Sequence, residues 1–356
     1  MPLLTTPTRR SFLKLTAAGA VGLTAPAVLT SGARAATGQI VVADYGGSSS
    51  DAMKKAFSEP FEAETGIKVV HVAHDTDPVT QFKLLVDTKS YIWDVCSMDT
   101  SHVLKLTSGK NYLAPIGVKD PNGEIISGMI ADNWLGYSVF ADTMAYRTDV
   151  FGDKGPVTWP DFWNLDKFPG RRGLSRDAIG VFEHALVADG VAPKDLYPID
   201  VDRALASLDK IKKSVAIWWG NGAQNSQILQ NGEVDMSNAW SSRAAEVKAS
   251  GAPIKIVWNG TYSCDGLGIP LGTPRLEQAQ AYIQFYSRAD RQAAYSSLVA
   301  NGPTNSKAFA LMKPEQAALL PTSAENLPDL VATNNSWWAD NFEASDKRFK
   351  EWQLAI

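Results

Sequence analysis

The chain has 356 residues, of which 45% are hydrophobic and 20% charged, and its formal net charge is −4. This length is enough for two lobes with separate cores, and the acidic balance argues against nucleic acid and anionic membranes as partners. The two cysteines, Cys96 and Cys264, do not make a disulfide framework. A single bridge is chemically allowed in an oxidising compartment, but the apolar, strand-like sequence around both residues favours two buried free thiols.

The first 35 residues have the pattern of an export signal. The segment Thr8–Lys14 contains two adjacent arginines, an apolar run follows to Leu29, and the small-x-small triplet 33–35 is typical of a cleavage site. We therefore predict export through the twin-arginine route to the periplasm, with cleavage after Ala35. Cleavage removes four basic residues and no acids, so the net charge changes from −4 to −8.

The mature sequence opens with a predicted strand, helix and second strand. The first strand, Gln39–Asp44, leads into Tyr45 and Gly46, and a glycine at this point lets the backbone approach another group closely. Helical spacing begins at Asp51, and Gly66 caps the helix before the second strand. This order predicts a right-handed parallel crossover. The glycine spacing is not that of a dinucleotide-binding loop.

Polar residues end the third predicted strand, within the segment 93–101. Asp99, Thr100 and Ser101 lie where a strand end meets a cleft in an α/β fold, although turn chemistry explains them as well. The β-rich stretch that begins at Trp134 is predicted to be the first crossing between two lobes.

A second α/β segment opens at Thr158, which is a predicted helix cap. Farther along, Trp218 and Trp219 end a predicted strand, and we expect one ring to be buried and the other to face a cleft. The polar turn at Asn301 is also placed to reach that cleft.

The stretch 233–268 is the most informative. Its apolar pattern predicts a buried strand that delivers Trp240 and Arg243 at a strand-to-helix turn, a common position for ligand contacts. The pair 259–260, Asn-Gly, predicts a turn between two strand runs, with Asp265 near the start of the second. We interpret the stretch as a binding cleft in which Arg243 takes a carboxylate and Asp265 takes an amine. The competing interpretation is an exposed arginine in a first helical turn and an aspartate in a turn.

The motifs of known catalytic and metal sites are missing from the sequence. The four histidines form no recognisable catalytic set, and His71 and His74 would point to opposite faces of a strand, which disfavours a shared metal. A P-loop, a G-x-S-x-G elbow and an H-E-x-x-H helix are all absent. We therefore predict no catalytic residue, cofactor or metal. An exported enzyme with dispersed residues is the rival class, and a ferric-ion binder is disfavoured because the chain has no adjacent tyrosines.

Five segments, in order along nearly all of the mature chain, resemble the extracellular solute-binding proteins of ABC importers, and the spermidine/putrescine-type branch most of all. They are Phe61–Val69, Thr158–Trp163, Phe168–Arg171, Asn231–Asp235 and Ala281–Phe285. The resemblance implies an α/β, type II periplasmic binding protein fold, in which two α/β lobes are joined by two crossing strands and close on a ligand between them. It also implies an inner-membrane permease and its ATPase as partners of a monomer.

From this resemblance we expect lobe 1 to comprise 37–142 and 267–318, and lobe 2 to comprise 143–266. The remaining segment, 319–356, is expected to pack as helices on lobe 2 or on the hinge.

The resemblance also assigns roles to particular residues. In polyamine-binding members, an aromatic residue follows the first strand, polar residues follow the third, and another aromatic residue lies at the crossing. These positions are occupied here by Tyr45, Thr100, Ser101 and Trp134.

One position departs from the polyamine pattern. The motif W-x-x-D, which supplies a carboxylate to a ligand amine, is replaced here by Trp240–Arg243, whereas the later acidic position is retained as Asp265. A further acid expected after the Leu174 strand has only Asp177 as a candidate. Together, the residues predicted to bind ligand are Tyr45, Gly46, Asp99, Thr100, Ser101, Trp134, Trp219, Trp240, Arg243, Asp265 and Asn301.

The exchange of an acid for a cation changes the predicted ligand. The planar guanidinium of Arg243 suits a carboxylate, whereas a buried arginine that faces a polyamine would leave like charges uncompensated. We therefore predict a zwitterion, such as 4-aminobutyrate or another amino-acid-derived solute, with putrescine or spermidine as the alternative.

Overall fold

The computed structural model describes residues 38–75 and 77–355. The predicted export signal and its cleavage site lie outside these residues. In the described part of the chain, no helix is both long and apolar enough to span a membrane.

The described strands belong to one connected set, and helices or loops join most of them. The strands are β1 (Gln39–Asp44), β2 (Lys68–Ala73), β3 (Val95–Asp99), β4 (Leu113–Ala114), β5 (Ile130–Ala131), β6 (Trp134–Arg147), β7 (Arg172–Ser175), β8 (Val215–Trp219), β9 (Met236–Trp240), β10 (Ile254–Pro270) and β11 (Val331–Ala332). The α-helices are α1 (Gly47–Met53), α2 (Glu59–Thr65), α3 (Val79–Thr88), α4 (Thr100–Thr107), α5 (Thr148–Phe151), α6 (Trp159–Trp163), α7 (Ala178–Ala188), α8 (Val201–Asp209), α9 (Gly222–Gln230), α10 (Ser241–Ala249), α11 (Leu276–Tyr286), α12 (Ala289–Val299), α13 (Pro314–Ala317) and α14 (Asn335–Leu354).

Two groups of parallel strands flank a pair of long antiparallel strands. The order across the sheet is β2-β1-β3-β10-β6-β9-β7-β8. The first three strands are mutually parallel, and so are the last three. The long strands β10 and β6 are antiparallel to each other and to their outer neighbours β3 and β9. The predicted type II fold, with two α/β lobes and two crossing strands, is confirmed.

The register of the crossing strands makes the carboxyl ends of the two parallel groups face each other. Asp99, the last residue of β3, lies opposite Asp265 of β10, which in turn lies opposite Ser138 of β6. Trp240, the last residue of β9, lies opposite Asp142, four residues farther along β6. Four strand residues span about 13 Å. A gap of this width between opposing strand ends suits a small solute.

Both crossing strands are irregular beside this gap. One register shift leaves Tyr137 of β6 without a partner next to Asp265, and the other falls within 257–261 of β10. The predicted turn at 259–260 is therefore wrong, since β10 continues through it as an irregular strand. Gly260 is required there because a β-carbon would overlap the Asp142 carbonyl oxygen. Such irregularities bend strands locally.

Hydrophobic clusters lie on both sides of the gap. In the first lobe, Phe57 stacks on Tyr286 with ring centroids 3.5 Å apart. In the second lobe, Trp338 and Phe349 of α14 belong to the core, and the Trp338 indole donates to Glu183 at 2.7 Å. Helix α14 also contacts α4 of the first lobe. The exact lobe boundaries stay a prediction.

The structure confirms two buried free thiols. Cys96 and Cys264 are both unpaired and buried. Cys96 lies opposite Gly268 of β10, four residues beyond Cys264, so the two sulfurs belong to different levels of the sheet. Burial raises the pKa of both thiols, which disfavours the reactive thiolate.

Candidate functional site

The turn after β1 brings Tyr45 close to two carboxylates. Gly46 has a φ of +70°, which favours glycine, and its N–H donates to Asp44 at 2.7 Å. Burial, followed by the negative charges of Asp265 and Asp99, raises the pKa of the Tyr45 hydroxyl well above its usual value. The structure therefore groups Tyr45 and Gly46 with both acids at one end of the gap.

The polar residues after β3 satisfy one another. Asp99 Oδ1 accepts the Ser101 N–H at 2.7 Å and the Ser101 hydroxyl at 2.6 Å, so Asp99 caps α4. The Thr100 hydroxyl donates to the Cys264 carbonyl at 3.4 Å. Turn and cap chemistry accounts for this cluster, and its contact with a ligand stays a prediction.

Asp265 is an acid that lacks a cation. Burial raises its pKa to about 8, the nearby charge of Asp99 adds to this shift, and the Tyr45 hydroxyl works in the opposite direction. Among the described residues, no lysine, arginine or histidine forms an ion pair with Asp265. A bound ammonium group would therefore supply the missing positive charge.

Ser138 and Tyr295, which the sequence analysis did not single out, also lie on this side of the gap. Asn301 Nδ2 donates to the Ser138 hydroxyl at 2.9 Å, directly across the sheet from Asp265. The Asn301 amide oxygen has no partner within the described part of the chain. The Tyr295 hydroxyl lies 3.3 Å from Ser49 Oγ. Ser138 sits in an apolar strand and Tyr295 in an amphipathic helix, so neither carries a local sequence signal.

The other side of the gap carries the cation Arg243, which is paired with Glu246. Arg243 lies in the first turn of α10, and its Nη1 is 2.9 and 3.0 Å from the two Glu246 oxygens. Its Nε would be 2.7 Å from a β-carbon on Gly222, the first residue of α9, so the side chain lies across that helix start. A helix N-terminus and a guanidinium both favour an anion.

Trp240 and Trp219, which were both predicted to contact the ligand, differ in exposure. Trp240 is 37% exposed, whereas Trp219 is fully buried with its ring edge-on, 5.5 Å away. Trp219 donates to Asn238 Oδ1 at 3.1 Å. Trp218 packs on Phe349 of α14. Trp219 is therefore a core residue in the described structure, and its contact with a ligand stays a prediction.

Trp134 is also a core residue. It is 4% exposed and belongs to a hydrophobic cluster with Cys264 and Leu113. A β-carbon on Gly266 would overlap its indole ring. The ring fills the space above a glycine in the sheet, and its indole N–H has no partner within the described residues, so the contact of Trp134 with a ligand stays a prediction.

Asp142 is a second buried acid that the sequence analysis missed. Asn238 Nδ2 donates to both of its carboxyl oxygens, at 3.1 and 2.9 Å. Burial raises its pKa to about 8, and the charges of Glu183 and Asp177 add to this shift. Asp177 itself lies on the exposed loop before α7. Asp142 carries no local sequence signal, because it is a single acid within a long, mostly apolar strand.

The assembled site is polar from end to end. Asp265, Asp99 and Tyr45 lie at the first lobe's strand ends, whereas Arg243 and Trp240 lie at the second lobe's strand ends. No described contact joins Arg243 to Asp265. Asp265 and Arg243 therefore lie at the opposing strand ends without contacting each other, and their joint contact with a ligand stays a prediction.

Comparison with known proteins identifies the family. A family model for bacterial extracellular solute-binding proteins matches residues 56–322. The γ-aminobutyric acid-binding protein of Pseudomonas aeruginosa is 32% identical over 328 residues, which cover 90% of this chain and 92% of that protein. The spermidine/putrescine-binding periplasmic protein of Escherichia coli K12 is 25% identical over 307 residues, with 83% and 85% covered.

A solved structure agrees with this result. An ABC transporter substrate-binding protein from Bradyrhizobium japonicum USDA 110 superposes with a TM-score of 0.80 at 33% identity, covering 89% of this chain and 99% of that chain. The shared fold, the matched family model and the similarity over nearly the whole length agree. The chain belongs to the family of bacterial extracellular solute-binding proteins.

Proposed function

We propose that this protein captures a small zwitterion, such as 4-aminobutyrate or another amino-acid-derived solute, between its lobes and delivers it to an inner-membrane ABC permease. The observation that carries the proposal is the opposition of Asp265 and Arg243 across the strand-end gap. A solute with an ammonium group at one end and a carboxylate at the other satisfies both side chains.

The ammonium end belongs at Asp265. With a pKa near 8, this carboxyl group is largely protonated at neutral pH when no solute is present. An ammonium group restores the ionised form and gains a charge-assisted hydrogen bond. Tyr45 lies beside the same carboxyl group, so its ring can add a cation–π attraction of about 0.5–2 kcal/mol.

The carboxylate end belongs at Arg243. Only Nη1 of this guanidinium contacts Glu246 in the described structure, and Nε faces Gly222, so Nη2 is the nitrogen available to a ligand carboxylate. The first turn of α9 lies beside the same guanidinium; Asn221 caps its Gln224 N–H, and the N–H groups before it favour an anion. The similarity to a γ-aminobutyric acid-binding protein supports the same assignment.

Calorimetry on the purified mature protein tests the proposal. We expect 4-aminobutyrate or a related amino acid to bind the wild type, and Arg243→Ala and Asp265→Ala each to abolish binding. Arg203→Ala is a matched control, because Arg203 of α8 pairs with Asp189 at the end of α7, outside the site. Unchanged affinity in Arg243→Ala would overturn the proposal.

The alternative ligand is putrescine or spermidine. The second buried acid, Asp142, favours it, since two acids could each receive an amine of one ligand. The similarity to a spermidine/putrescine-binding protein supports it as well. Micromolar binding of putrescine by the wild type, without binding of any amino acid, would establish this alternative.

The remaining parts of the proposal concern the whole molecule. The chain acts as a monomer without catalytic activity, and an ATPase powers the permease that it serves. The lobes are 37–142 with 267–318 and 143–266, and 319–356 packs on lobe 2 or on the hinge, as the contacts of α14 with both α7 and α4 support. Size-exclusion chromatography and limited proteolysis test these statements.

Export completes the proposal. The protein reaches the periplasm through its twin-arginine signal and is cleaved after Ala35. Mass spectrometry of the periplasmic form should give a chain that begins at Ala36. Loss of export after replacement of both Arg9 and Arg10 by lysine would confirm the route, and continued export would exclude it.

A further inference from the structure

A buried chain of hydrogen bonds lies directly beneath the Tyr45 turn. Asp44 Oδ1 accepts the Gly46 N–H at 2.7 Å, and Asp44 Oδ2 lies 2.6 Å from His71 Nδ1. His71 Nε2 in turn lies 2.7 Å from Ser58 Oγ. The Asp44 and Ser58 side chains are buried, and so is the His71 ring.

The order of groups is that of a Ser-His-Asp hydrolase, but the surroundings exclude that chemistry. Ser58 is 3% exposed, and its hydroxyl also lies 2.6 Å from the Tyr282 hydroxyl inside the first lobe's core. A substrate carbonyl has no access to such an oxygen, whereas a nucleophile must reach its substrate. The network therefore serves another purpose.

We propose that the Asp44–His71–Ser58 network positions the turn that presents Tyr45 to the ligand. This inference rests on the proposed binding site. Asp44 joins both ends of the turn, because it accepts from the Gly46 N–H and also from the Ser50 hydroxyl at 2.8 Å. His71 anchors the same carboxylate to β2.

A second set of contacts acts on the turn from the same strand end. The main-chain N–H of His74 donates to the Asp44 carbonyl at 2.8 Å, and the His74 ring packs edge-on against Tyr45 with centroids 4.8 Å apart. His74 Nε2 lies 2.8 Å from the Ser97 carbonyl, which fixes that ring on β3. The two histidines thus contact the same turn at different residues, His71 at Asp44 and His74 at Tyr45.

The turn needs such support because its backbone is intrinsically mobile. Gly46 and Gly47 have φ values of +70° and +62°, and glycine loses more conformational freedom on ordering than other residues. A turn that is already ordered binds more tightly, because less ordering accompanies binding. His71 and Asp44 are therefore positioning residues for the affinity, although neither touches the ligand.

The test compares His71→Leu with a matched buried control, Asp94→Asn. Asp94 is fully buried in the same lobe and accepts from the Val41 N–H and the Thr273 hydroxyl, both at 2.9 Å, away from the Tyr45 turn. We expect both variants to melt earlier than the wild type. Only His71→Leu should also weaken 4-aminobutyrate binding, by about fivefold or more when the folded protein is titrated.

A double mutant and a conservative variant separate positioning from general destabilisation. If His71 acts through Tyr45, then His71→Leu should weaken binding little further in a Tyr45→Ala background, since coupled residues are not additive. His71→Asn, which keeps a donor near Asp44, should recover most of the affinity. Ser50→Ala is a milder variant that serves if His71→Leu does not fold.

Hydrogen exchange of the ligand-free protein keeps this test independent of the ligand's identity. His71→Leu or Ser50→Ala should speed exchange in the segment 45–50, whereas Asp94→Asn should not. If the wild type binds no zwitterion, the proposed ligand is wrong, and the exchange result still decides on the network. Unchanged exchange in 45–50, or equal loss of affinity in Asp94→Asn, would overturn the inference.

Discussion

Replacement of Asp265 by asparagine should stabilise the ligand-free protein and abolish its binding. The carboxyl group has a pKa of about 8 in the folded chain, against 3.8 for an ordinary aspartate. An acid with a raised pKa binds its proton more tightly in the folded state. Its contribution to stability is therefore full below pH 3.8 and is lost as the pH rises toward 8.

The size of the effect follows from the same two values. Between strongly acidic solution and pH 7, the ionisation of Asp265 lowers the free energy of unfolding by about 4 kcal/mol, and by only about 1 kcal/mol at pH 4.5. Asparagine resembles the protonated acid and cannot ionise. Asp265→Asn should therefore be more stable than the wild type at pH 7 by about 4 kcal/mol, and by about 1 kcal/mol at pH 4.5.

Thermal melting of both proteins from pH 4.5 to pH 8 measures this difference, since all other titrating groups are shared. The difference between the two melting points should increase steadily as the pH rises. Calorimetry should show that the more stable variant has lost ligand affinity by at least about 30-fold, the effect of losing about 2 kcal/mol from a buried charge pair. Parallel melting curves, or a variant that melts earlier at pH 7, would refute the reasoning.

Three further predictions follow from the same site. Binding of an ammonium-bearing solute at pH 7 should release about 0.9 proton from Asp265, which calorimetry in buffers of different ionisation enthalpy measures; uptake or no exchange would contradict its raised pKa. Gly222→Ala should displace Arg243, because Arg243 Nε would lie 2.7 Å from the new β-carbon. In a titration this variant should bind the zwitterion more weakly than the wild type, while its melting point changes little. Gly46→Ala should destabilise by about 1–3 kcal/mol in thermal unfolding, because its φ of +70° with ψ of −170° is a conformation essentially confined to glycine, whereas Gly251→Ala, at a φ of +92°, tests a positive φ elsewhere in the chain.

The order of strands and helices could be predicted because local patterns report it. Gly66 adopts the left-handed conformation at the end of α2, and the Thr158 hydroxyl accepts the Asp161 N–H as a helix cap, as their sequence contexts indicate. The prediction of a turn at the Asn-Gly pair 259–260 was wrong for a physical reason. A long strand that passes between two lobes has to bend, and the glycine that usually makes a turn also permits an irregular strand.

The site could be predicted only where a residue's chemistry is unusual for its position. The positions of Arg243 and Asp265 beside strand ends could be predicted, because a charge next to an apolar strand is informative, whereas their contact with a ligand stays a prediction. The burial of Trp134 and Trp219 was not predicted, because a large ring has the same sequence signature in a core as in a cleft. Asp142 was missed because its environment comes from Asn238 and Glu183, which are distant in sequence.

In the proposed site, the charge at position 243 acts beside the acid Asp142 on the same side in the choice of solute. Both lobes end their parallel strands at the same gap, so whatever follows β3 and β9 meets the ligand from opposite ends. An acid on each side selects a ligand with two cations, whereas Asp265 opposite Arg243 selects one cation and one anion. Arg243→Asp should accordingly lose the zwitterion and gain affinity for putrescine, whose second amine then meets an acid. A variant that gains no diamine affinity while its melting point stays near the wild type would show that more than this one charge sets the choice.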